Sequence, residues 1–364
     1  MNPLNVRKLK PCALSLGATL GMVLLGNKML DRRREADLSG QVVLITGGTS
    51  GLGYLLSREF AREGCRIVTC ARDTDELGLI RRELESTGAE LLAVQCDVAE
   101  RNQVDQLVAR ATNHFGRVDV LVNNAGLIQV GPAMVMSQKD YEDAMNVMLW
   151  GTIYPTLAVL PQMSARRSGR IVNITSIGGK VSVPHLLPYT TAKFAQTGFS
   201  EGLRAELKNE GISVTTIVPG LMRTGSYFNA EFKGDEVAEY TLFSVASSLP
   251  LITMDAQRAA KQIVQATKRG DAERILSVPA NLLARLHGMV PGLTGEVMGV
   301  ADRLLLPDRA GDADTRTAGR EIDEQVESDA HHVATTLGRT AADRFQPAEN
   351  IPETGESIID PRDT

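Results

Sequence analysis

Residues 41–53 read QVVLITGGTSGLG. A short apolar run rich in β-branched side chains ends in a glycine cluster, and a helical period follows from about Leu52 to Glu63. Strand, glycine turn and helix in that order make a phosphate cradle. Gly47, Gly51 and Gly53 permit a tight turn and close approach of a pyrophosphate, and the helix points its free N–H groups at the anion. A glycine-rich turn alone is weak evidence, but its position between a strand and a helix near the start of a domain makes it strong.

Working outward, the same alternation repeats. CRIVTC (65–70), ELLAVQ (90–95), VDVLVN (118–123), RIVNIT (170–175), SVTTIV (213–218) and ERILSV (273–278) read as strands. Helices are expected over about 74–86, 101–115, 189–209 and 255–268. A further long helix should run to about Ala165, opened by Ser137 with Asp140 as a capping box and bent at Pro155. Strands alternating with helices predict an α/β fold, a Rossmann-type doubly wound parallel sheet of about seven strands, with ligands at the carboxyl ends of the strands. No repeat of solenoid period interrupts it.

Composition limits the alternatives. The 364-residue chain carries a net charge of −5, which gives no reason to expect nucleic-acid binding. The four cysteines, Cys12, Cys65, Cys70 and Cys96, form no CxxC pair and no metal-ligand spacing with histidine, so a reducing compartment, no disulfides and no metal are expected. From Pro307 onward 14 acids face 6 bases and large apolar residues are few. That tail is expected to be disordered, with a transient helix around Val326 to Leu337.

The first 37 residues form a separate segment. Residues 12–26, CALSLGATLGMVLLG, are uncharged and flanked by Arg7, Lys8, Lys10 and by Lys28, Arg32, Arg33, Arg34. As a helix the run would span roughly 22 Å, short of the ~30 Å hydrocarbon core. Three readings compete: a signal peptide, a helix packed on the domain, and a membrane-associating anchor. The anchor is favoured because no A-x-A cleavage site follows and the cofactor turn begins almost at once. Arg32 to Arg34 would then face the cytoplasm. The expected divisions are 1–37 anchor, 38–280 catalytic domain, 281–306 helical extension and 307–364 acidic tail.

YTTAK (189–193) sets a phenol one helical turn from an ammonium. A free tyrosine titrates near ~10, whereas proton transfer at neutral pH wants a value nearer ~7. A fixed ammonium beside the phenol favours phenolate, as does an oxidised, cationic nicotinamide. Ser176, at the end of the fifth strand, is placed to hydrogen-bond a substrate oxygen.

With T-G-x-x-x-G-x-G at 46–53, NNAG at 123–126, Ser176 thirteen residues before Tyr189, YTTAK, and PGLMRT at 219–224, the sequence resembles the short-chain dehydrogenase/reductase family over about residues 38–280. The resemblance implies hydride transfer between a nicotinamide dinucleotide and an alcohol or carbonyl, with Ser176, Tyr189 and Lys193 as catalytic residues. It implies that Thr46, Gly47, Ser50, Gly51, Leu52 and Gly53 shape the phosphate turn, and that Asp97 and Val98 hold the adenine edge. Asn123, Asn124, Ala125 and Gly126 would support the central strand and line the cofactor channel. Val218, Pro219, Gly220 and Thr224 would flank the nicotinamide, which Tyr189 and Lys193 also reach. It implies a homo-oligomer as well.

At the tip of the second strand Ala71 stands where an acid would favour NAD(H), and Arg72 follows. A guanidinium can hold a 2′-phosphate, so NADP(H) is expected over NAD(H), with Asp73 as the counter-signal unless it opens the next helix. Candidate pocket residues are Met134, Val135, Met136, Val183, Leu186, Leu187, Leu221, Met222, Tyr227 and Phe228. They suggest an apolar alcohol or carbonyl substrate, such as a lipid, retinoid or steroid-like molecule; His185 reads as structural. The alternative to an enzyme is a binding protein that holds NADP with little turnover, and the intact Ser-Tyr-Lys set favours the enzyme.

One departure from the family pattern stands out. Most relatives carry an asparagine three positions before Gly151, where it helps hold a water linked to the active lysine; here that position is Met148. Asn146 lies about 200° around an ideal helix and replaces it only if the helix is distorted. The proton relay is therefore expected to be altered, routed through a backbone carbonyl and a second water.

Overall fold

The computed structural model describes residues 35–250, 252–307, 312–326 and 328–345. The proposed anchor run lies outside them. Among the described residues, no helix is long and apolar enough to cross a membrane.

The centre is a seven-stranded parallel sheet. Its strands are β1 (Val42–Thr46), β2 (Arg66–Ala71), β3 (Leu91–Gln95), β4 (Val120–Asn123), β6 (Gly169–Ile174), β7 (Ile212–Val218) and β11 (Glu273–Ile275), in the order β11-β7-β6-β4-β1-β2-β3. Each of the seven expected runs forms one of these strands. The last is shorter than expected, because Ser277 accepts from Ala280 N and caps a helix there. Strand order reverses between β1 and β4, which opens a crevice at their carboxyl ends.

Helices α1 (Gly51–Arg62), α2 (Thr74–Ser86), α3 (Arg101–Phe115), α5 (Gly151–Ala165), α6 (Leu187–Leu207) and α8 (Ala256–Arg269) cover the two faces. Because both faces are covered, strand side chains of either parity are buried; β1 is wholly inaccessible along its length. Two apolar clusters result. One sets Val43, Ile45 and Val122 against α1 and α8, and the other sets Leu44, Val68 and Leu121 against α3 and α5.

The helix expected as one piece to Ala165 is broken. The short helix α4 (Gln138–Met145), opened by the Ser137–Asp140 capping box, passes into a π-turn over Asn146–Trp150 before α5 begins. The break lies upstream of Pro155, whose missing N–H and bulky ring disfavour a regular ladder to the preceding turn.

The acidic tail corrects an expectation. Instead of being disordered from 307, it folds over 312–326 and 328–345. β12 (Asp312–Ala318) pairs antiparallel with β9 (Glu231–Gly234), itself parallel to β5 (Gln129–Val130), while the short strands β8 (Met222–Arg223) and β10 (Met254–Asp255) pair parallel with each other. Helices α11 (Gly319–Asp323) and α12 (Asp329–Arg344) follow. The segment lacks a core of its own but borrows one. Ala341, Ala342 and Phe345 are buried, and Phe345 joins the cluster under α1. His331 Nε2 lies 2.9 Å from Ser244 Oγ of α7 (Glu236–Ala246), and Asp323 accepts from Tyr240 Oη at 2.6 Å and Arg339 Nη1 at 2.7 Å. Low hydrophobicity argued for disorder only as long as the surface it docks on was invisible.

Candidate active site

The glycine turn is fixed from below. Thr46 is fully buried, and its Oγ1 accepts from the backbone amides of Asn124 (3.0 Å) and Ala125 (3.1 Å). Asn124 Nδ2 donates in return to Thr46 O (3.0 Å) and Gly47 O (2.9 Å). Gly47 and Gly51 have φ of +62° and +54°, and a Cβ at Gly53 would sit 1.9 Å from Gly47 O. Ser50 opens α1 without a side-chain cap, and no acid stands in the first turn. Gly51 N donates to Phe345 O at 2.9 Å, so the tail reaches this turn. The amides of Leu52 and Gly53 have no preceding helical carbonyl to bond. An uncapped, acid-free helix start behind a turn that admits no side chain fits a dinucleotide pyrophosphate.

From this turn a cleft of about 1680 Å³ runs along the carboxyl edge of the sheet. It is larger than the ~300–1,000 Å³ typical of a drug-sized ligand, and so has room for a dinucleotide and a second molecule. Gly47, Ser50, Gly51, Leu52, Gly53, Arg72, Asp97, Val98, Asn124, Ala125, Gly126, Ser176, Tyr189, Lys193, Pro219, Gly220 and Thr224 all line it. Thr46 does not, because it lies beneath the turn. At the adenine end Arg72 is exposed, whereas Asp73 caps α2, accepting from Asp75 N (2.7 Å) and Glu76 N (3.2 Å).

The chemistry end is assembled from two elements. Ser176 lies two residues past the end of β6 and is held as its Oγ accepts from Gly178 N at 3.0 Å. Tyr189 and Lys193 come from the first turns of α6, and the Tyr189 phenol faces the Ser176 hydroxyl. Lys193 Nζ is 5.8 Å from the Tyr189 ring centre. Burial pushes the Tyr189 phenol above its ordinary range, opposed by the Ser176 hydroxyl. Burial pulls Lys193 down to about 7. The sequence reading had the ammonium acidify the phenol; in the protein alone desolvation dominates both groups.

The substrate end was only partly foreseen. Val183, Leu186, Leu221, Met222 and Phe228 line the cleft. Met134, Val135, Met136, Leu187 and Tyr227 do not: Met134 is 76% exposed, and Tyr227 is buried in a separate cluster with Phe232 and Tyr240. Ile128, Phe243, Leu283 and Met298 were missed. Leu283 and Met298 sit on α9 (Val278–Met289) and α10 (Pro291–Leu305), which roof the cleft. Arg316 and Arg320 reach it from the tail. No local motif signals residues brought in from so far along the chain. His185 is buried with φ +60°, its Nδ1 2.5 Å from Glu239 and its Nε2 3.3 Å from Asp302, so it ties the loop before α6 to α7 and α10.

The π-turn distorts the helix at Met148. Asn146 and Val147 line the cleft, while Met148 is fully buried with Ala144 and Ala192 against Tyr189. Lys193 is held instead by Gln196, a residue that the sequence reading passed over. Cys65, Cys70 and Cys96 are free buried thiols, and no metal-ligand cluster occurs among the described residues.

Known proteins agree with this geometry. The family model for short chain dehydrogenase matches residues 41–231. A dehydrogenase/reductase SDR family protein 7-like from Anopheles gambiae is 37% identical over 216 residues, 58% of this chain and 68% of that one. A putative ketoacyl reductase from Streptomyces coelicolor is 38% identical over 191 residues, 52% of this chain and 73% of that one. The crystal structure of a short-chain dehydrogenase from Streptomyces avermitilis superimposes with a TM-score of 0.63 at 29% identity, covering 74% of this chain and all of that one.

Proposed function

Because the chain belongs to the short-chain dehydrogenase/reductase family, we propose that it is an NADP(H)-dependent oxidoreductase interconverting an apolar alcohol and its ketone or aldehyde. The observation that carries this reading is the convergence of Ser176, Tyr189 and Lys193 on one wall of the cleft that begins at the glycine turn. The bound nicotinamide would supply or accept the hydride. Ser176 would hold the substrate oxygen, Tyr189 would exchange a proton with it at Oη, and Lys193 would keep the phenolate form accessible. Val183, Leu186, Leu221, Phe228 and Phe243 would exclude water from the reacting carbon. Their apolar character supports a lipid-like substrate. The ketoacyl reductase similarity supports reduction of a carbonyl.

Arg72 supports NADP(H). It stands free at the adenine end, and the competing acid Asp73 is occupied as a helix cap. Incubating the protein with NADPH and a panel of apolar ketones and aldehydes should give turnover, and NADPH should bind more tightly than NADH. Equal affinities, unchanged in Arg72→Ala, would refute the cofactor assignment; no turnover across the panel would favour the binding-protein alternative.

Membrane attachment is proposed on two features. One is the basic-flanked apolar run at 12–26. The other is a solvent-facing stripe of Val278, Leu282 and Met289 on α9 with Leu293, Val297, Val300 and Leu304 on α10, each more than half exposed. Two weak contacts hold a protein at a bilayer better than one. Removing residues 1–30 should shift the protein from the membrane pellet to the supernatant after high-salt washing; an unchanged distribution would discard the anchor.

A further inference from the structure

Lys193 sits in a buried, fully directed chain of hydrogen bonds. Its Nζ donates to Ile174 O at 2.8 Å and to Gln196 Oε1 at 2.9 Å. Gln196 Nε2 donates to Thr152 Oγ1 at 2.8 Å, and Thr152 Oγ1 donates to Met148 O at 2.8 Å. Lys193, Gln196, Thr152 and Met148 are each at most 4% exposed.

The direction of the chain is forced from its far end. A carbonyl can only accept, so the single hydroxyl proton of Thr152 goes to Met148 O. Thr152 Oγ1 then accepts from the amide nitrogen of Gln196, which turns the amide oxygen toward the ammonium. Met148 O lies inside the π-turn, where the i→i−4 ladder is interrupted. The thioether of the same residue fills the space beside Tyr189 with apolar volume. An amide does not pass a proton along at neutral pH, so the chain orients charge and ends in the helix without reaching solvent.

We propose that Gln196 and Thr152 are positioning residues that hold the Lys193 ammonium in place of a solvent-linked water, in the chain that carries Met148 at the usual asparagine position. This rests on the reading of Lys193 as the partner of a catalytic Tyr189. Two of the three ammonium protons are committed to Ile174 O and Gln196 Oε1, and the third is left for the cleft. Proton exchange with solvent then runs through the cleft mouth, not through the helix pair α4–α5. No carboxylate and no second cation acts on Lys193 among the described residues; burial alone lowers it to about 7, and Tyr189 is the titratable group against it. The Gln196 oxygen is thus the side-chain acceptor that favours its charged form.

The test is the pH dependence of kcat/KM for NADPH-dependent reduction by the intact protein, in Gln196→Leu, Thr152→Val and Thr152→Ser. Loss of the acceptor in Gln196→Leu lowers the Lys193 pKa and raises that of the phenol. The alkaline limb of the reduction profile, which is governed by Tyr189 and uses the protonated phenol, should move alkaline by about one pH unit, and in the reverse oxidation of the alcohol, which uses the phenolate, activity below the limb should fall about tenfold. Thr152→Val frees the amide to flip and should move the limb the same way by less, while Thr152→Ser should keep the wild-type profile. In the double variant Gln196→Leu/Thr152→Val the shifts should not add, because the two act in series. A residue that served only packing would lower thermal stability without moving the limb. If Gln196→Leu does not fold, Thr152→Val against Thr152→Ser decides. Wild-type profiles in the folded variants would overturn the proposal while leaving Tyr189 in its role. Full activity of Tyr189→Phe would overturn the catalytic reading itself.

Discussion

Replacing Tyr189 with phenylalanine should lower kcat about a thousandfold or more, the upper part of the range for removing a positioned general acid. Cofactor affinity should change little. The hydroxyl contributes the proton, whereas the glycine turn, Asn124 and the start of α1 make the phosphate site on other elements. The ring remains, so the apolar packing of Met148 and Ala192 survives. Steady-state turnover alongside fluorescence titration with NADPH, using the single Trp150 or the cofactor itself, separates the two effects. Retention of full turnover would mean that the proton comes from another group.

Gly53→Ala should do the reverse and abolish cofactor binding, with destabilisation of about 1–3 kcal/mol from overpacking. A methyl group there would stand 1.9 Å from Gly47 O and 2.6 Å from Asn124 Nδ2. Neither can retreat. Gly47 O belongs to the turn itself, and Asn124 Nδ2 is what pins that turn to β4. The turn would open, and the Leu52 and Gly53 amides would no longer converge on one point. A fall of at least a hundredfold in NADPH affinity together with a lower melting temperature is expected. Wild-type affinity would show that the turn does not hold the pyrophosphate.

The tail connects these sites. Arg316 bonds Asp140 and Asp143 at 2.8 Å each beside the substrate end, and Phe345 O meets Gly51 N at the cofactor turn. One segment therefore spans both ends of the cleft. This explains how an acidic stretch with few large side chains is ordered. Charge pairs fix its first part, and small residues such as Ala341, Ala342 and Gly338 let its last helix approach the domain closely.

What the sequence determined by itself was whatever depends on local order. The seven strands and their alternation with helices are written in runs of β-branched residues and in glycine punctuation, because burial on both faces of a parallel sheet demands continuous apolar segments. The glycine turn and the Tyr189–Lys193 pair were legible for the same reason, since each is a spacing within one element. Only the tertiary structure decided the rest. The roof of Leu283 and Met298, the docking of residues 312–345, the π-turn that sends Asn146 to the cleft and Met148 inward, and the Lys193–Gln196–Thr152 chain each join distant segments. Gln196 and Thr152 are 44 positions apart, and their hydrogen bond exists because α6 packs against α4 and the π-turn that leads into Thr152 at the start of α5. Propensity and period describe how a chain continues, whereas burial and hydrogen bonding between elements depend on which surfaces meet, and that information is absent from any one stretch of residues.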